Sequence, residues 1–302
     1  MLFEEITVII PTAARKNRKL KLLKAIDSVL SQRGVRAIPF VLVNGDTFDN
    51  ELNEALKRRS DIRYIYLAEP SQVKAVAFGV NNVTTKYFSF LDDDDEYLED
   101  ALITRLMPML QDEHIGLSVT NGYKHGVGDE YLFPFDEKEF SLKPLESLLI
   151  SPWLTSCSGL FKTSLIDPKI FHHSYSYLEW TYLASVLSHN TKIHFDKTPT
   201  FLINLSENSL SSSPLMEVTR ARLMHEISKK PIPDNLVSKF VSKKFAALHM
   251  ASESYLRNNE IIKAWRYHVM CIFSINGFKY ITYTYKLVLT SLVLILDPLQ
   301  WF

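Results

Sequence analysis

Five acids stand in unbroken succession at Asp92, Asp93, Asp94, Asp95 and Glu96, directly after the apolar run Tyr87, Phe88, Ser89, Phe90 and Leu91. Adjacent carboxylates repel one another, so a folded chain that keeps four aspartates together needs a cation or another positive group beside them. Oxygen ligands of this kind suit a hard divalent ion, and the run is read as a metal site. An acidic run can also be a solvated turn or the first turn of a helix, where the dipole favours carboxylates. Glu99, Asp100 and residues 101–110 do have the pattern of a helix start. An EF-hand loop is excluded, because it spaces its ligands and needs a central glycine. Position favours the metal: residues of high strand preference give way to charge where a strand would leave a sheet, and open α/β sheets bind ligands at that edge.

Such an edge needs partner strands, and the preceding residues supply them. Ile6 to Ile10, closed by Pro11 and Thr12, reads as a buried first strand without a glycine-rich phosphate loop. Leu20, Leu23, Ile26, Val29 and Leu30 recur at helical spacing between Lys19 and Gln32, ending near Gly34. Pro39 to Val43 predicts a second strand with Asn44, Gly45 and Asp46 as its exit turn, completing a β-α-β unit. A helix over Asn53 to Arg59, a strand over Ile62 to Leu67 and a helix over Val73 to Val83 lead to the strand before the aspartates. Strands alternating with helices predict an α/β fold with a mostly parallel sheet covered on both faces. Its strand ends bring Thr12, Asp46 and Asp92 to Asp95 to one edge.

At this point the residues resemble a known family, the inverting family 2 glycosyltransferases with the Rossmann-like GT-A fold. Val8-Ile9-Ile10-Pro11-Thr12, with Arg15 just after, is similar to that family's first strand and nucleotide loop. Leu23, Ala25, Ile26, Ser28, Val29, Leu30 and Gln32 match its first helix, and Phe90-Leu91-Asp92-Asp93-Asp94-Asp95 its metal motif, called DXD. The resemblance implies that Asp92 and Asp94 serve the nucleotide sugar and a Mg2+ or Mn2+ ion. Pro11, Thr12, Arg15, Asn44, Asp46, Lys74 and Asp93 are then expected around the nucleotide sugar. Two segments depart from the family. Asn44-Gly45-Asp46 stands where two acids are common, and of the segment before the metal strand only Ala75 and Gly79 survive, with Lys74 as a nearby positive charge.

Beyond the aspartates, Ile115 to Val119 predicts a strand, Tyr123 to Phe133 a hairpin or flap, Leu142 to Ile150 a short helix, and Pro152 to Phe161 a further strand. Trp153 is expected in the core. Counting back from Lys192 and Ile193, Glu179 falls where the family carries its general base, the carboxylate that takes the acceptor hydroxyl's proton. The alternative for Glu179 is a surface acid at a helix start. His172 and His173, adjacent in a loop, are expected at the surface, and His194 in a strand. Asn204 and Ser206 stand in place of the family's last-loop Arg and His, ahead of Ser209-Leu210-Ser211.

With 302 residues and 46% hydrophobic content the chain can bury one large core or two modest ones. Its formal charge balances overall, yet from Leu215 onward twelve Lys and Arg face six Asp and Glu. The expected division is a GT-A catalytic domain over 1–214 and a basic, helical region over 215–302. Helices are predicted at Val218 to Ile227, Leu236 to Leu256 and Glu260 to Ile275. Leu287 to Leu296 is uncharged but short of the ~20 apolar residues a bilayer crossing takes. Tyr280, Tyr283, Tyr285, Trp301 and Phe302, with Lys279 and Lys286, suggest an interfacial belt on a membrane surface; packing on the core or an oligomer contact are the alternatives. The scattered basic residues carry no nucleic-acid motif. Cys157 and Cys271 are too far apart for a CxxC pattern, so a zinc site and a disulfide framework are not indicated. The acidic N-terminus lacks the features of a signal peptide. A cytoplasmic enzyme, peripheral at the inner membrane face, is expected.

These features together predict transfer of a sugar, most simply from a UDP-sugar, to a surface polysaccharide or lipid-linked glycan. Two rivals remain. A sugar nucleotidyltransferase would place a glycine-rich basic loop where this chain has Pro11-Thr12-Ala13-Ala14; a non-catalytic membrane scaffold would bind no nucleotide.

Overall fold

The structure is a computed structural model describing residues 3–125, 132–134, 136–204, 214–274 and 276–296, with the backbone alone for 125 and 294–296. Two compact units divide it: residues 1–174 with 179–207, and residues 175–178 with 208–302.

The first unit is built on an eight-stranded sheet of order β3-β2-β1-β4-β7-β6-β8-β5. β1 (Glu5–Thr12), β2 (Arg36–Asn44), β3 (Arg63–Leu67) and β4 (Tyr87–Phe90) run parallel, so their carboxyl ends share one edge. β5 (Glu96–Tyr97), β6 (Ile115–His125), β7 (Gly159–Lys162) and β8 (Lys192–Asn204) complete it, with β7 antiparallel to both β4 and β6 and β5 antiparallel to β8. A four-residue β4 suffices because it is flanked on both sides and all four side chains are buried.

Alternation along β1 explains the two layers. Ile6, Val8 and Ile10 point into one cluster with α1 (Lys19–Leu30), α2 (Asn50–Lys57) and α4 (Ala101–Gln111), while Ile9 joins the opposite cluster with α3 (Gln72–Asn81) and α7 (Glu179–Asn190). Both faces of the central strands are therefore covered, as parallel pairing favours. Asp49 and Ser71 cap α2 and α3 by accepting from the Leu52 and Lys74 amides, which moves both helix starts ahead of the hydrophobic pattern. Gly79 lets α3 lie on the sheet, since a Cβ there would stand 2.8 Å from Ile9 Cγ2 and 2.9 Å from Leu42 Cδ1.

Several expectations are corrected. The buried stripe of α1 is Leu22, Ala25, Ile26 and Val29, whereas Leu20 and Leu30 are exposed, so the helix is turned from the face the sequence suggested. The helix expected over Leu142 to Ile150 is replaced by α5 (Glu137–Leu142) and α6 (Pro144–Ser147), because Pro144 restarts the chain as a helix N-terminal residue. Of Pro152 to Phe161 only the end enters a strand, β7, and the helix after the acids starts at Ala101, with Asp100 left-handed at φ 59°. Residues 126–131 of the expected hairpin lie outside the described residues.

The second unit contains α8 (Pro214–Ser228), α9 (Asp234–Arg257), α10 (Ile261–Ile272) and α11 (Ile281–Leu296). Tyr283 and Leu287 of α11 pack with Ala251, Tyr255, Leu256 and Ala264, and Tyr280 with Ala221, Ala247, Leu248 and Cys271. Tyr280 and Tyr283 are thus buried rather than arrayed in an exposed belt, while Tyr285 is 71% exposed. Trp301 and Phe302 lie outside the described residues. Among the described residues no helix is long and apolar enough to cross a membrane.

Candidate active site

The acids follow β4 at the edge where the four parallel strands end. Leu91 still donates its amide to Ile9 O, and the Asp95 amide then closes a turn on Asp92 O at 3.2 Å. That turn gives the four consecutive carboxylates different sets of partners. Asp92 accepts from Ser156 Oγ at 2.7 Å and from Gln72 Nε2 at 3.4 Å. Asp93 accepts from Thr12 Oγ1 at 2.6 Å and Arg18 Nη1 at 2.7 Å, and Asp94 meets the same Arg18 nitrogen at 2.8 Å. Asp95 turns inward, 4% exposed, accepting from the Asn204 amide at 3.0 Å and facing the Cys157 thiol at 3.7 Å.

Burial dominates the electrostatics. It pushes Asp92 up to about 6 against the Ser156 hydrogen bond, with the charges of Asp94, Asp93 and Glu179 adding to the rise. Asp93 is raised by burial and held back by Thr12 and Arg18. Asp95 reaches about 8, by burial first and the Asp92 charge second, so it keeps its proton at neutral pH. Beneath the loop, the guanidinium of Arg105 is fully buried. It donates to Thr120 Oγ1 at 2.9 Å and Thr200 Oγ1 at 2.6 Å, and lies 4.8 Å from the centre of the Tyr97 ring. Tyr97 in turn donates to Phe90 O at 2.7 Å, which ties the end of β4 to β5.

Thr12 also organises its own loop, since its hydroxyl accepts the Ala14 amide at 2.9 Å while donating to Asp93. Pro11 is buried in β1. Asn44 ends β2 opposite Leu67, Gly45 takes φ 84° to turn the chain, and Asp46 is exposed just beyond. Arg15 and Lys74 are exposed, and Lys74 pairs with Glu69. The structure thus brings Thr12 and Asp92 to Asp94 together and leaves Arg15, Asp46 and Lys74 at the surface around them.

Glu179 opens α7 and lines a small cavity of about 20 Å³, enough for one water, with Gln72, Val73, Val76, His173, Trp180 and Leu183. Gln72 is shared between this cavity and Asp92, so the acid of α7 and the acids after β4 face one neighbourhood. His172 is exposed as expected. His173 is half-buried and 4.8 Å from the Tyr182 ring, and burial, with the His172 charge, lowers it to about 4, leaving it neutral beside Glu179. Trp153 is fully buried and donates to Pro144 O, a core residue as expected.

Arg18, Gln72, Ser156 and Asn204 are the residues sequence reasoning missed or left without a role. Arg15 looked like the loop's cation, but Arg18, on the single 3-10 turn Lys16–Arg18, reaches the acids. The divalent-ion reading is compatible with the donor set: Asp94 already meets a positive nitrogen, and the carboxylate oxygens of Asp92 and Asp94 are donors of the kind Mg2+ and Mn2+ prefer. Among the described residues no group of three or more His, Cys, Asp or Glu side chains forms a ready metal cage. Mg2+ characteristically uses only one or two carboxylates and completes its shell with substrate phosphates.

The carboxylates stand at the carboxyl edge of a mostly parallel sheet, an α/β architecture. The sequence profile of Glycosyl transferase family 2 matches residues 7–165, and the chain belongs to that family. Two curated relatives are uncharacterized glycosyltransferases, from Rickettsia felis at 31% identity over 112 residues and Rickettsia conorii at 30% over 129. These matches cover 37% and 42% of this chain but only 18% and 21% of the relatives, so the chain spans about a fifth of their length. Among solved structures, S. aureus TarS 1–349 is similar with a TM-score of 0.60 at 13% identity, covering 84% of this chain and 80% of that one. The same fragment in complex with UDP-GlcNAc matches with a TM-score of 0.60 at 14% identity, covering 83% and 81%. At such identities the likeness is one of fold, the GT-A fold.

Proposed function

We propose that this protein transfers a sugar, with inversion, from a nucleoside diphosphate, most simply UDP, to a surface polysaccharide or lipid-linked glycan. The observation that carries the reading is the convergence of Thr12, Asp92, Asp93 and Asp94 at the carboxyl edge of a family 2 domain. The UDP-GlcNAc bound by TarS supports the donor class. Asp92 and Asp94 would hold a Mg2+ or Mn2+ ion, which when bound supplies positive charge to the departing diphosphate. Pro11, Thr12, Asn44, Asp46 and Asp93 line the nucleotide side. Arg15 and Lys74 meet phosphate oxygens, Lys74 after releasing Glu69. Glu179 accepts the proton of the acceptor hydroxyl, with His173 neutral beside it.

Calorimetry of the whole chain with UDP, GDP and CDP, with and without Mn2+, tests the donor. Binding of none of them would favour a non-catalytic scaffold. Glu179→Gln should abolish turnover and leave nucleotide affinity within about twofold; unchanged turnover would remove Glu179 as the base.

The second unit is proposed to lie on a membrane. Ile281, Tyr285, Val288, Leu289, Leu292 and Val293 are all exposed, an apolar stripe on the outer face of α11, with Lys279 and Lys286 beside it. Leu289→Glu with Val293→Glu in the full chain should reduce flotation with anionic liposomes; undiminished flotation would reject this role for α11.

A further inference from the structure

One nitrogen of Arg18 sits where two carboxylates meet. Nη1 lies 2.7 Å from Asp93 Oδ1 and 2.8 Å from Asp94 Oδ2, and Thr12 holds the other Asp93 oxygen at 2.6 Å. The acid side chains are 13% and 16% exposed and that of Arg18 36%, so water screens the contact only in part. Among the described residues no backbone bond depends on this side chain: the Arg18 amide donates to Arg15 O whichever way the guanidinium points.

A divalent ion held by Asp92 and Asp94 would compete with the guanidinium for the Asp94 carboxylate. The two cations would also repel. A guanidinium displaced from carboxylates finds an equivalent fork of oxygens on a phosphate.

We propose that Arg18 is the resident counter-cation of Asp93 and Asp94 in the donor-free protein, displaced when a divalent ion and the donor's diphosphate arrive together, and that it then binds the diphosphate. The inference rests on the metal-assisted reading above and gives it an order of events. Metal alone competes with Arg18 and binds weakly. Nucleotide gives the freed guanidinium a partner, so each ligand tightens the other by the same factor. The acids face a positive group throughout, first the chain's own cation.

The test is Mn2+ titration of the full chain, stripped with EDTA, followed by EPR of free Mn2+ in the absence and presence of UDP. Arg18→Gln should bind Mn2+ alone about tenfold more tightly than wild type, and the gain on adding UDP should shrink by about the same factor. Arg18→Lys, which keeps the charge, should stay within about threefold of wild type. Equal Mn2+ affinity in wild type and Arg18→Gln overturns the proposal and leaves the metal reading standing. Mn2+ binding to neither, with or without UDP, overturns both. Should Arg18→Gln not fold, the Arg18 side-chain NεH signal of 15N-arginine-labelled wild type must shift on adding Mg2+ and again on adding UDP; an unmoved signal under saturating Mg2+ overturns displacement.

Discussion

Asp95→Asn should make the protein more stable as pH rises. The inward carboxyl is 4% exposed and held at about 8 instead of 3.8, by burial and by the Asp92 charge. Each pH step by which folding shifts a carboxyl is worth about 1.4 kcal/mol, so the ionised form costs on the order of 5 kcal/mol at this position. Below about pH 4 both folded and unfolded chains carry the proton, and the group contributes nothing to pH dependence. Between about 4 and 8 the unfolded chain has released it and the folded chain keeps it. The Asp95 contribution to wild-type stability therefore falls through this window and levels off above it. Asparagine has no proton to lose, yet its amide oxygen accepts the Asn204 amide as the carboxyl does. The stability of Asp95→Asn relative to wild type should thus rise by roughly 2–3 kcal/mol from pH 5 to pH 7. Urea denaturation in EDTA at pH 5, 6, 7 and 8, with equal m values required, measures it. The titration of Asp92 near 6 is common to both proteins and largely cancels. A difference that stays constant with pH, or that favours wild type as pH rises, would refute the reasoning.

Other positions give independent checks. Arg105→Ala should cost about 3–5 kcal/mol in urea unfolding, since it empties a fully buried site and removes the donor shared by the hydroxyls of Thr120 and Thr200. Arg105→Met should cost less because it fills the space; equal costs would mean that packing contributes little there. Gly79→Ala gains about 1 kcal/mol of helix propensity but places a Cβ 2.8 Å from Ile9 and 2.9 Å from Leu42, a crowding cost of about 1–3 kcal/mol. A lowered melting temperature is expected, and a raised one would show that α3 lifts off the sheet without strain.

What could be read from the sequence was what the neighbouring residues decide. The strand of Ile6 to Ile10, the acids after Phe90 and the alternation of strands with helices depend on local pattern, and each is present. The inward face of α1 was misjudged because leucines occupy positions 20, 22, 23 and 30, and only packing chooses Leu22 and Ala25 over Leu20 and Leu30. Arg18 and Ser156 were invisible as partners of the acids because they are 75 and 64 residues away, and side-chain pairing across such distances leaves no periodic trace. Asp95 differs from its neighbours only in environment, which a run of identical letters conceals. In the second unit, Tyr280 and Tyr283 read as interfacial by type, yet the bundle claims them for its interior.

The turn that Asp95 closes on Asp92 gives the run an indexing function. Four identical residues occupy four addresses: one on Ser156, one on Thr12 and Arg18, one on Arg18 alone, one in the core against Cys157. Changing a single letter vacates one address and leaves the others in place. Removing one aspartate would instead slide the survivors along the turn, so that a chain almost unchanged in acidity would misdeliver several carboxylates at once. For this loop, spelling length matters more than spelling.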